Sequence, residues 1–299
     1  MNQDITLKEK VQHGTKRNPI MGLHFTAGKG TGYPEKFFVE RHWHDSIEIL
    51  YIIRGSYQIE INLQNEVLQE GDICILNSGD LHQITGESAE AIHEVVLFDP
   101  AILDFSYHDE MQEECVRPLI EQLRLFPHIF RKGEECGQCI LPVVEKLMKI
   151  AVEKKEGWYL KSKLLIMELV VEIYEKGWML LSDSVLSKSE ERRIKQYKTV
   201  VSYMEENYQN PISLQDMADT ISCNSQYLCR FFREIAGTSP IQYLISLRLE
   251  KACYLLQHSS KSVLEIALDC GFENVSYFIR KFKEVKGCTP KQYCRGEMG

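Results

Sequence analysis

Four residues in the first third of the chain have the types and the spacing of a metal site. His42 and His44 alternate, Glu48 follows with the same parity, and His82 comes on a later extended run. Alternating residues of an extended segment point to one face, and imidazole and carboxylate groups together bind divalent transition metals. The pattern predicts that these four side chains hold one ion or line a polar pocket. Each of them, taken alone, is also compatible with a packed side chain that has no ligand.

A second set of chemically useful residues recurs in the last third of the chain. Gly237-Thr-Ser-Pro-Ile-Gln-Tyr243 returns fifty positions later as Gly287-Cys-Thr-Pro-Lys-Gln-Tyr293. The residues upstream recur with it, namely Arg230 and Arg280, Phe232 and Phe282, and Arg233 and Lys283. An internal repeat of this kind indicates two copies of one supersecondary unit.

Each copy is predicted to form two short helices joined by a tight turn. The residues that cap or end these helices are Ser213, Asp216, Asn224 and Gly237 in the first copy, and Ser262, Glu265, Gly271 and Asn274 in the second. Two short helices around a tight turn are typical of a helix-turn-helix. Residues 241–257, between the copies, are predicted to form one long amphipathic helix that fixes their relative orientation.

The second helix of each copy has an apolar face and a polar face. The apolar residues, which we assign to the core, are Leu228, Phe231, Phe232 and Ile235, and then Phe278, Phe282 and Val285. The other face carries Gln226, Cys229, Arg230 and Arg233 in the first copy, and Val275, Ser276, Ile279, Arg280 and Lys283 in the second. Such groups suit base edges and phosphates. Isolated surface charges usually only solvate a helix, but the recurrence of these charges favours DNA contacts.

Composition and charge restrict the classes of protein that fit. The chain has 299 residues, of which 44% are hydrophobic and 26% charged, as in globular proteins of two domains. Residues 1–189 carry 20 Lys and Arg against 30 Asp and Glu, whereas residues 190–299 carry 15 against 13. This charge permits DNA binding without predicting it. We see no membrane span or secretion signal, and therefore expect a cytoplasmic chain with no membrane partner and with its ten cysteines reduced.

Strand-like runs at residues 47–53, 57–63, 72–76 and 91–98 predict a β-barrel or sandwich. Beyond Pro100, residues 141–152 and 160–174 have helical periodicity. We expect these helices to pack on the sheets and to pair two subunits; if they only cover the sheets, the chain is a monomer. The pair Cys136 and Cys139 is interpreted as a loop leading into a helix, because one such pair without companion ligands is a weak sign of a zinc or redox site.

Residues 195–294 resemble the AraC/XylS family of transcription regulators. The resemblance rests on Arg248-Leu-Glu-Lys-Ala252, on Ile266-Ala267 with Gly271-Phe272, and on Ser276-Tyr-Phe-Ile-Arg-Lys-Phe-Lys283 followed by Gly287-Cys-Thr-Pro290 and Tyr293. It implies that the base-facing positions are Gln226, Cys229 and Arg230 in the first unit, and Val275, Ser276, Ile279 and Arg280 in the second.

The four candidate ligands, with Gly55, Gly71 and Gly79, resemble the two cupin motifs. This resemblance implies a double-sheet jelly-roll barrel that binds one divalent metal such as Zn, Ni, Mn or Fe. The first motif matches in full spacing. The second departs from the pattern, because Asn77 replaces the usual proline and Gly86 the usual asparagine.

These observations predict an α+β multidomain chain. Residues 1–135 form a cupin-like sensing barrel, 136–180 a helical dimerisation and relay segment, 181–194 a linker, and 195–299 an all-α domain with tandem helix-turn-helix units. The resemblance implies a regulator that binds a small-molecule effector, with a sugar as the family-level expectation, and that binds promoter double-stranded DNA as a homodimer and contacts RNA polymerase. Two alternatives are a cupin metalloenzyme, which would have no evident use for a DNA reader, and an architectural DNA binder that needs no effector.

Overall fold

The computed structural model describes residues 15, 17–26, 38–86, 91–107, 109–182, 187–259 and 261–294, and of Glu40 the backbone alone. The chain divides into two compact units, one that ends at Glu191 and one that begins at Arg192. No helix in the described part of the chain is long and apolar enough to cross a membrane.

The first unit is built mainly of β-strands. They are β1 (Ile20–Thr26), β2 (Phe38–His42), β3 (Ile47–Arg54), β4 (Tyr57–Ile61), β5 (Gln64–Leu68), β6 (Ile73–Leu76), β7 (His82–Gly86), β8 (Ile92–Phe98), β9 (Arg124–Leu125), β10 (Ile129–Phe130) and β11 (Leu180–Leu181). The four strand-like runs of the sequence are β3, β4, β6 and β8, each within two residues of its expected bounds. The sheet-rich first domain is therefore confirmed.

Two antiparallel sheets face each other. One has the order β1-β8-β3-β6-β10 and the other β2-β7-β4-β5, while β11 pairs with β9 apart from them. Leu50, Cys74 and Val95 of the first sheet share one buried core with Ile59 and Ile84 of the second. Because side chains alternate across a strand, the even-numbered residues of β3 face this interior, and Glu48 lies on that side.

Helices cover the other face of the five-stranded sheet. A 3₁₀ turn (Pro100–Leu103) and a π-helical turn (Gln112–Val116) lead to α1 (Arg117–Ile120), α2 (Glu135–Glu153) and α3 (Trp158–Glu175). The residues of β3 that point outward, Ile47 and Ile49, share a core with Leu147 of α2 and Leu169 of α3. Apolar packing on both faces explains why β3 reads as a nearly continuous hydrophobic run.

Helix α2 begins six residues before the expected start, so the interpretation of Cys136 and Cys139 as a loop is wrong. Gly137 argues against a helix here in the sequence, because glycine in a helix interior usually destabilises the helix. Here it lets the first turn approach the chain before it, since a Cβ on Gly137 would lie 2.0 Å from the carbonyl oxygen of Arg131. Burial, together with hydrogen bonds to Glu134 and Glu172, raises the pKa of both thiols.

The second unit is helical and repeats itself. Its helices are α4 (Lys188–Asn207), α5 (Leu214–Asp219), α6 (Ser225–Ala236), α7 (Pro240–His258), α8 (Val263–Asp269), α9 (Val275–Lys286) and α10 (Pro290–Cys294). Helix α4 thus begins within the segment expected to be a linker. The two helix-turn-helix units are α5 with α6 and α8 with α9.

The expected caps are confirmed. Ser213 and Ser262 each form a capping box with the acidic residue three positions on. Asn224 and Asn274 accept from the backbone N–H of Tyr227 and Tyr277. Gly237 ends α6 with a left-handed backbone, as expected, and Gly287 does the same for α9.

Helix α7 joins the two copies, and its Arg248 contacts both the segment before the first copy and the Phe272 ring of the second. Its Tyr243 ring lies 5.5 Å from that of Phe232 in the first copy, and its Leu249 and Leu256 belong to the core of the second. Arg248 donates to the carbonyls of Tyr208 and Asn210, each at 2.8 Å. The long helix expected between the copies is therefore present.

One predicted core residue is exposed. Helical periodicity places Val285 in the buried stripe of α9, but this residue is 44% exposed. Its equivalent in the first copy, Ile235, is 1% exposed. Both residues occupy the same helical position, so the helix face is the expected one. The difference is that the described residues cover Val285 only in part, and helical periodicity alone carries no information about neighbours.

Candidate nucleic-acid interface and candidate metal centre

The reading faces of α6 and α9 point away from the core. The predicted DNA contacts that are exposed are Gln226, Arg230, Arg233, Ser276, Ile279, Arg280 and Lys283, and those that are half-buried are Cys229 and Val275. The buried stripes of the two helices, Phe231 with Phe232 and Phe278 with Phe282, lie on the opposite side. Both copies therefore present polar and cationic groups on a free face of a helix whose N-terminus is capped.

In each copy a tyrosine ring lies beside the arginine at the centre of the reading face. The Arg230 guanidinium lies 6.0 Å from the centre of the Tyr227 ring, and that of Arg280 lies 5.3 Å from the Tyr277 ring. A cation over an aromatic face is attracted by the ring quadrupole. Sequence reasoning missed these two tyrosines, although they recur fifty positions apart as the arginines do.

A cleft of about 560 Å³ opens at the first reading face. The residues that line it are Leu214, Ser225, Gln226, Cys229, Arg230, Arg233 and Glu234. The sequence pattern does not single out Ser225, whose hydroxyl donates to Gln215 of α5 at 2.8 Å. The cleft therefore gathers all four predicted contacts of the first copy between α5 and α6.

The structure brings the four candidate metal ligands together inside the barrel. The ligand atoms of His42, His44 and His82 all lie within 4.8 Å of one another. His42 stands directly opposite His82 in the pairing of β2 with β7. Glu48 lies in β3, and its carboxylate Oε2 is 2.8 Å from Nε2 of His44 and 3.6 Å from Nε2 of His82.

Backbone carbonyls orient two of the imidazoles. His44 Nδ1 lies 3.0 Å from the carbonyl oxygen of Ser46, and His82 Nδ1 lies 2.9 Å from that of Asp80. A carbonyl oxygen only accepts, so Nδ1 carries a proton in both rings and Nε2 faces the cluster. Such outer partners fix the tautomer of metal-binding histidines. Nothing in the sequence points to them, because backbone acceptors have no side-chain signature.

Burial sets the electrostatics of this cluster. Burial by itself raises the pKa of Glu48, but the hydrogen bond from His44 and the charges of the histidines lower it to about 2. Burial lowers the pKa of His82 to about 3. At neutral pH the cluster therefore holds a carboxylate beside a neutral His82, whose Nε2 carries a lone pair.

These residues fit a transition-metal ion. The buried Nε2 of His82 has no hydrogen-bond partner among the described residues, which is unusual for a buried nitrogen. Two donor atoms about 2.1 Å from one ion lie about 3.0 Å apart at a right angle and about 3.4 Å apart at the tetrahedral angle. The distances of 2.8 and 3.6 Å from the carboxylate to the two imidazoles are close to this range.

Comparison with known proteins finds a family match for each of the two parts of the chain. Residues 27–170 match the AraC-like ligand binding domain family and residues 217–296 the helix-turn-helix domain family. The uncharacterized HTH-type transcriptional regulator YdeC of Bacillus subtilis is 26% identical over 97% of this chain and 96% of its own length. The HTH-type transcriptional activator RhaS of Escherichia fergusonii is 23% identical over 88% of this chain and 90% of its own.

A solved structure matches about a third of the chain. A transcriptional regulator from Chromobacterium violaceum, described as having an AraC-type DNA-binding domain, is 33% identical over 34% of this chain and 92% of its own, with a TM-score of 0.33. The two family matches and the two full-length relatives cover the sheet-rich unit and the helical unit together. The chain belongs to the AraC/XylS family and is a ligand-responsive, DNA-binding transcription regulator.

Proposed function

We propose that α6 and α9 enter successive major grooves of a promoter and that the nine predicted reading residues contact it. The observation that carries this proposal is the repeated pairing of arginine with tyrosine, Arg230 with Tyr227 and Arg280 with Tyr277, on two exposed and capped helices. A side chain held in place before binding loses less entropy on contact.

The experiment that tests this proposal is selection of operators from random DNA, followed by footprinting of the selected sequence. We expect two protected segments about one helical turn apart. Footprinting with wild-type specificity by a protein that carries both Arg230→Ala and Arg280→Ala would overturn the assignment.

We also propose that His42, His44, Glu48 and His82 hold one divalent transition metal. The donor set of three imidazoles and one carboxylate suits Zn, Ni, Mn or Fe. When bound, the ion would supply a positive charge and open coordination positions to the barrel interior, and the four side chains would hold it in place.

Metal analysis of tag-free, dialysed protein tests this site. We expect close to one ion per chain for the wild type and a loss of most of it in His82→Gln. The matched control is His24→Gln, because His24 lies on β1 and pairs with Glu94 away from the cluster. Equal metal content in the wild type and in H82Q would contradict the site.

We propose that the effector is a polar small molecule, such as a sugar, in the barrel. Polar groups do reach the barrel interior, since the buried Nδ1 of His93 lies 2.9 Å from the hydroxyl of Tyr57. A panel of sugars tested by calorimetry against the full chain would identify the effector. Operator binding that no effector changes would support the architectural alternative.

We propose a homodimer that forms through α3. Leu160 and Leu164 are 63% and 62% exposed, and Val171 follows on the same side of the helix. An apolar stripe at this spacing is typical of a helix that pairs with another. Light scattering should show a dimer for the wild type and a monomer for Leu164→Glu, with Val67→Glu on the edge strand β5 as the control.

We propose that RNA polymerase docks on α8. Leu264 and Leu268 are 54% and 52% exposed, whereas the equivalent positions of α5 are Gln215 and Asp219, which hydrogen-bond to each other. The same unit is thus polar in one copy and apolar in the other. Leu264→Gln should leave operator affinity unchanged and alter transcription from the bound promoter, whereas unaltered transcription would contradict the proposal.

We propose that the chain acts in the cytoplasm and has no enzymatic activity. The curated relatives described above are transcriptional regulators. Turnover of a substrate by the purified chain in the presence of Zn, Ni, Mn or Fe would contradict this proposal.

A further inference from the structure

The four candidate ligands come from both sheets of the barrel. His42 and His82 lie on β2 and β7 of the four-stranded sheet, while Glu48 lies on β3, the central strand of the five-stranded sheet. His44 lies on the connection from β2 to β3. An ion bound by all four would therefore join one sheet to the other.

The backbone ladder of strand β2 is interrupted, although Arg41 of β2 donates two hydrogen bonds to Glu60 of β4 in the same sheet. Strand β2 lies at the edge, and its pairing with β7 is irregular between Val39 and His42. The paired positions are Phe38 with Thr85, Val39 with Ile84, and His42 with His82. A short edge strand with an interrupted ladder has few backbone hydrogen bonds to resist opening.

At the His82 end of the barrel, the polar link between the sheets is incomplete in the protein alone. Glu48 reaches His44 at 2.8 Å, but it stands 3.6 Å from His82, beyond hydrogen-bond distance. The Nε2 of His82 is otherwise unsatisfied among the described residues. An ion between these atoms would satisfy His82 and connect β7 and β2 to the central strand of the facing sheet.

We propose that the ion is a removable cross-link between the two sheets, one that fastens β2 to the barrel and so fixes one wall of the effector site. This inference rests on the proposed metal site. The nitrogen-rich donor set selects a transition metal such as zinc, and not the hard cations Mg²⁺ and Ca²⁺, which prefer oxygen ligands.

Hydrogen exchange of the full chain with and without zinc tests the cross-link. With zinc, the amides of β2 should exchange at least about tenfold more slowly than in chelator-treated protein. At zinc concentrations about a hundredfold above Kd, the Tm of the first unit should rise by about 5 to 10 °C. Magnesium at the same concentration should change neither quantity.

Two variants separate the cross-link from metal binding itself. Glu48→Gln removes the ligand on the facing sheet and keeps three histidines, so zinc should still bind, more weakly, and should slow exchange in β2 less than in the wild type, because it then holds β2 only to its own sheet. His42→Gln removes the ligand on β2 and replaces E48Q as the test variant if E48Q does not fold. In H42Q, zinc should no longer slow the exchange of the β2 amides. His24→Gln should behave as the wild type.

The outcomes distinguish the two proposals. If zinc does not bind the wild type, the metal site and the cross-link both fail. If zinc binds but the exchange of β2 does not change, or if E48Q and H42Q keep full protection, the metal site stands and the cross-link is wrong.

Discussion

Arg230 and Arg280 are the residues whose removal should harm DNA binding most. Each is exposed on a reading face and lies over a tyrosine ring. An arginine that donates two bonds to guanine discriminates by about 1 to 3 kcal/mol. We therefore expect Arg280→Ala to weaken operator binding about 5- to 150-fold and to relax selectivity only at its own half-site, and Arg230→Ala to do the same at the other. Binding assays on half-site variants measure this.

The control for this experiment is Arg192→Ala, because Arg192 is an exposed arginine of α4 in the same unit. It should change affinity less than about twofold. Equal losses on operator and random DNA after Arg280→Ala would mean that Arg280 contacts only phosphate.

At the level of residues, the sequence predicted which four side chains gather in the barrel but not the backbone groups that orient them. The four side chains do meet, but not along one extended strand as the alternation predicted, because β2 ends at His42, His44 lies on the connection and Glu48 lies on β3 of the facing sheet. The carbonyls of Ser46 and Asp80 that orient the rings could not be predicted, because every residue has a carbonyl and only the fold selects two of them.

At the level of elements, the sequence predicted what local chemistry determines. The caps at Ser213 and Ser262 are set within four residues, and both helices begin where expected. The start of α2 depends on the close approach of Arg131 to Gly137. The exposure of Val285 depends on how far residues elsewhere in the chain cover it, and the described ones do so only in part. Local patterns carry no information about such contacts.

Gly271 provides a test of how the two helix-turn-helix units are joined. Its φ is +79°, and a Cβ there would lie 2.3 Å from the carbonyl oxygen of Tyr208, beside Arg248. Gly271→Ala should therefore lose about 2 to 4 kcal/mol of unfolding free energy, from the left-handed backbone and from the clash. Urea unfolding followed by far-UV circular dichroism measures the loss.

The matched variant for this experiment is Gly237→Ala. Gly237 has a φ of +66°, and a Cβ added to it would meet no described atom within 4 Å, so this variant should lose only about 1 kcal/mol. The tryptophans Trp43, Trp158 and Trp178 all lie before residue 191, and their fluorescence reports the first unit separately. Similar losses for G271A and G237A would show that the junction at Tyr208 tolerates a side chain.

At the level of the whole molecule, the internal repeat is a better guide to the DNA-binding function than the net charge is. The chain carries a net charge of -8, which taken alone argues against nucleic acid as a partner. The repeat places two reading helices on one unit, and the comparisons confirm a DNA-binding regulator. The net charge sums over two domains with different functions. The repeat, in contrast, identifies the one domain that carries the DNA-reading helices.

The length of helix α7 sets the spacing of the two reading helices. Helix α7 has 19 residues, which makes it about 28 Å long, and it packs on Phe232 near one end and in the second core near the other. The reading helices α6 and α9, joined by this helix, can enter successive major grooves only if the two helices lie about 34 to 36 Å apart. If the separation of the two helices differs from that of the grooves, the DNA must bend. Smooth elastic bending of this extent costs on the order of a few kcal/mol.

Insertions between the half-sites test this geometry. Five added base pairs turn one groove to the opposite face of the duplex, and affinity should fall at least about tenfold. Ten added base pairs restore the face but add about 34 Å, which a rigid helix cannot span, so affinity should stay low. Recovery with ten base pairs would mean that separate copies of the chain occupy the two half-sites, and undiminished affinity with five would mean that only one helix-turn-helix reads DNA.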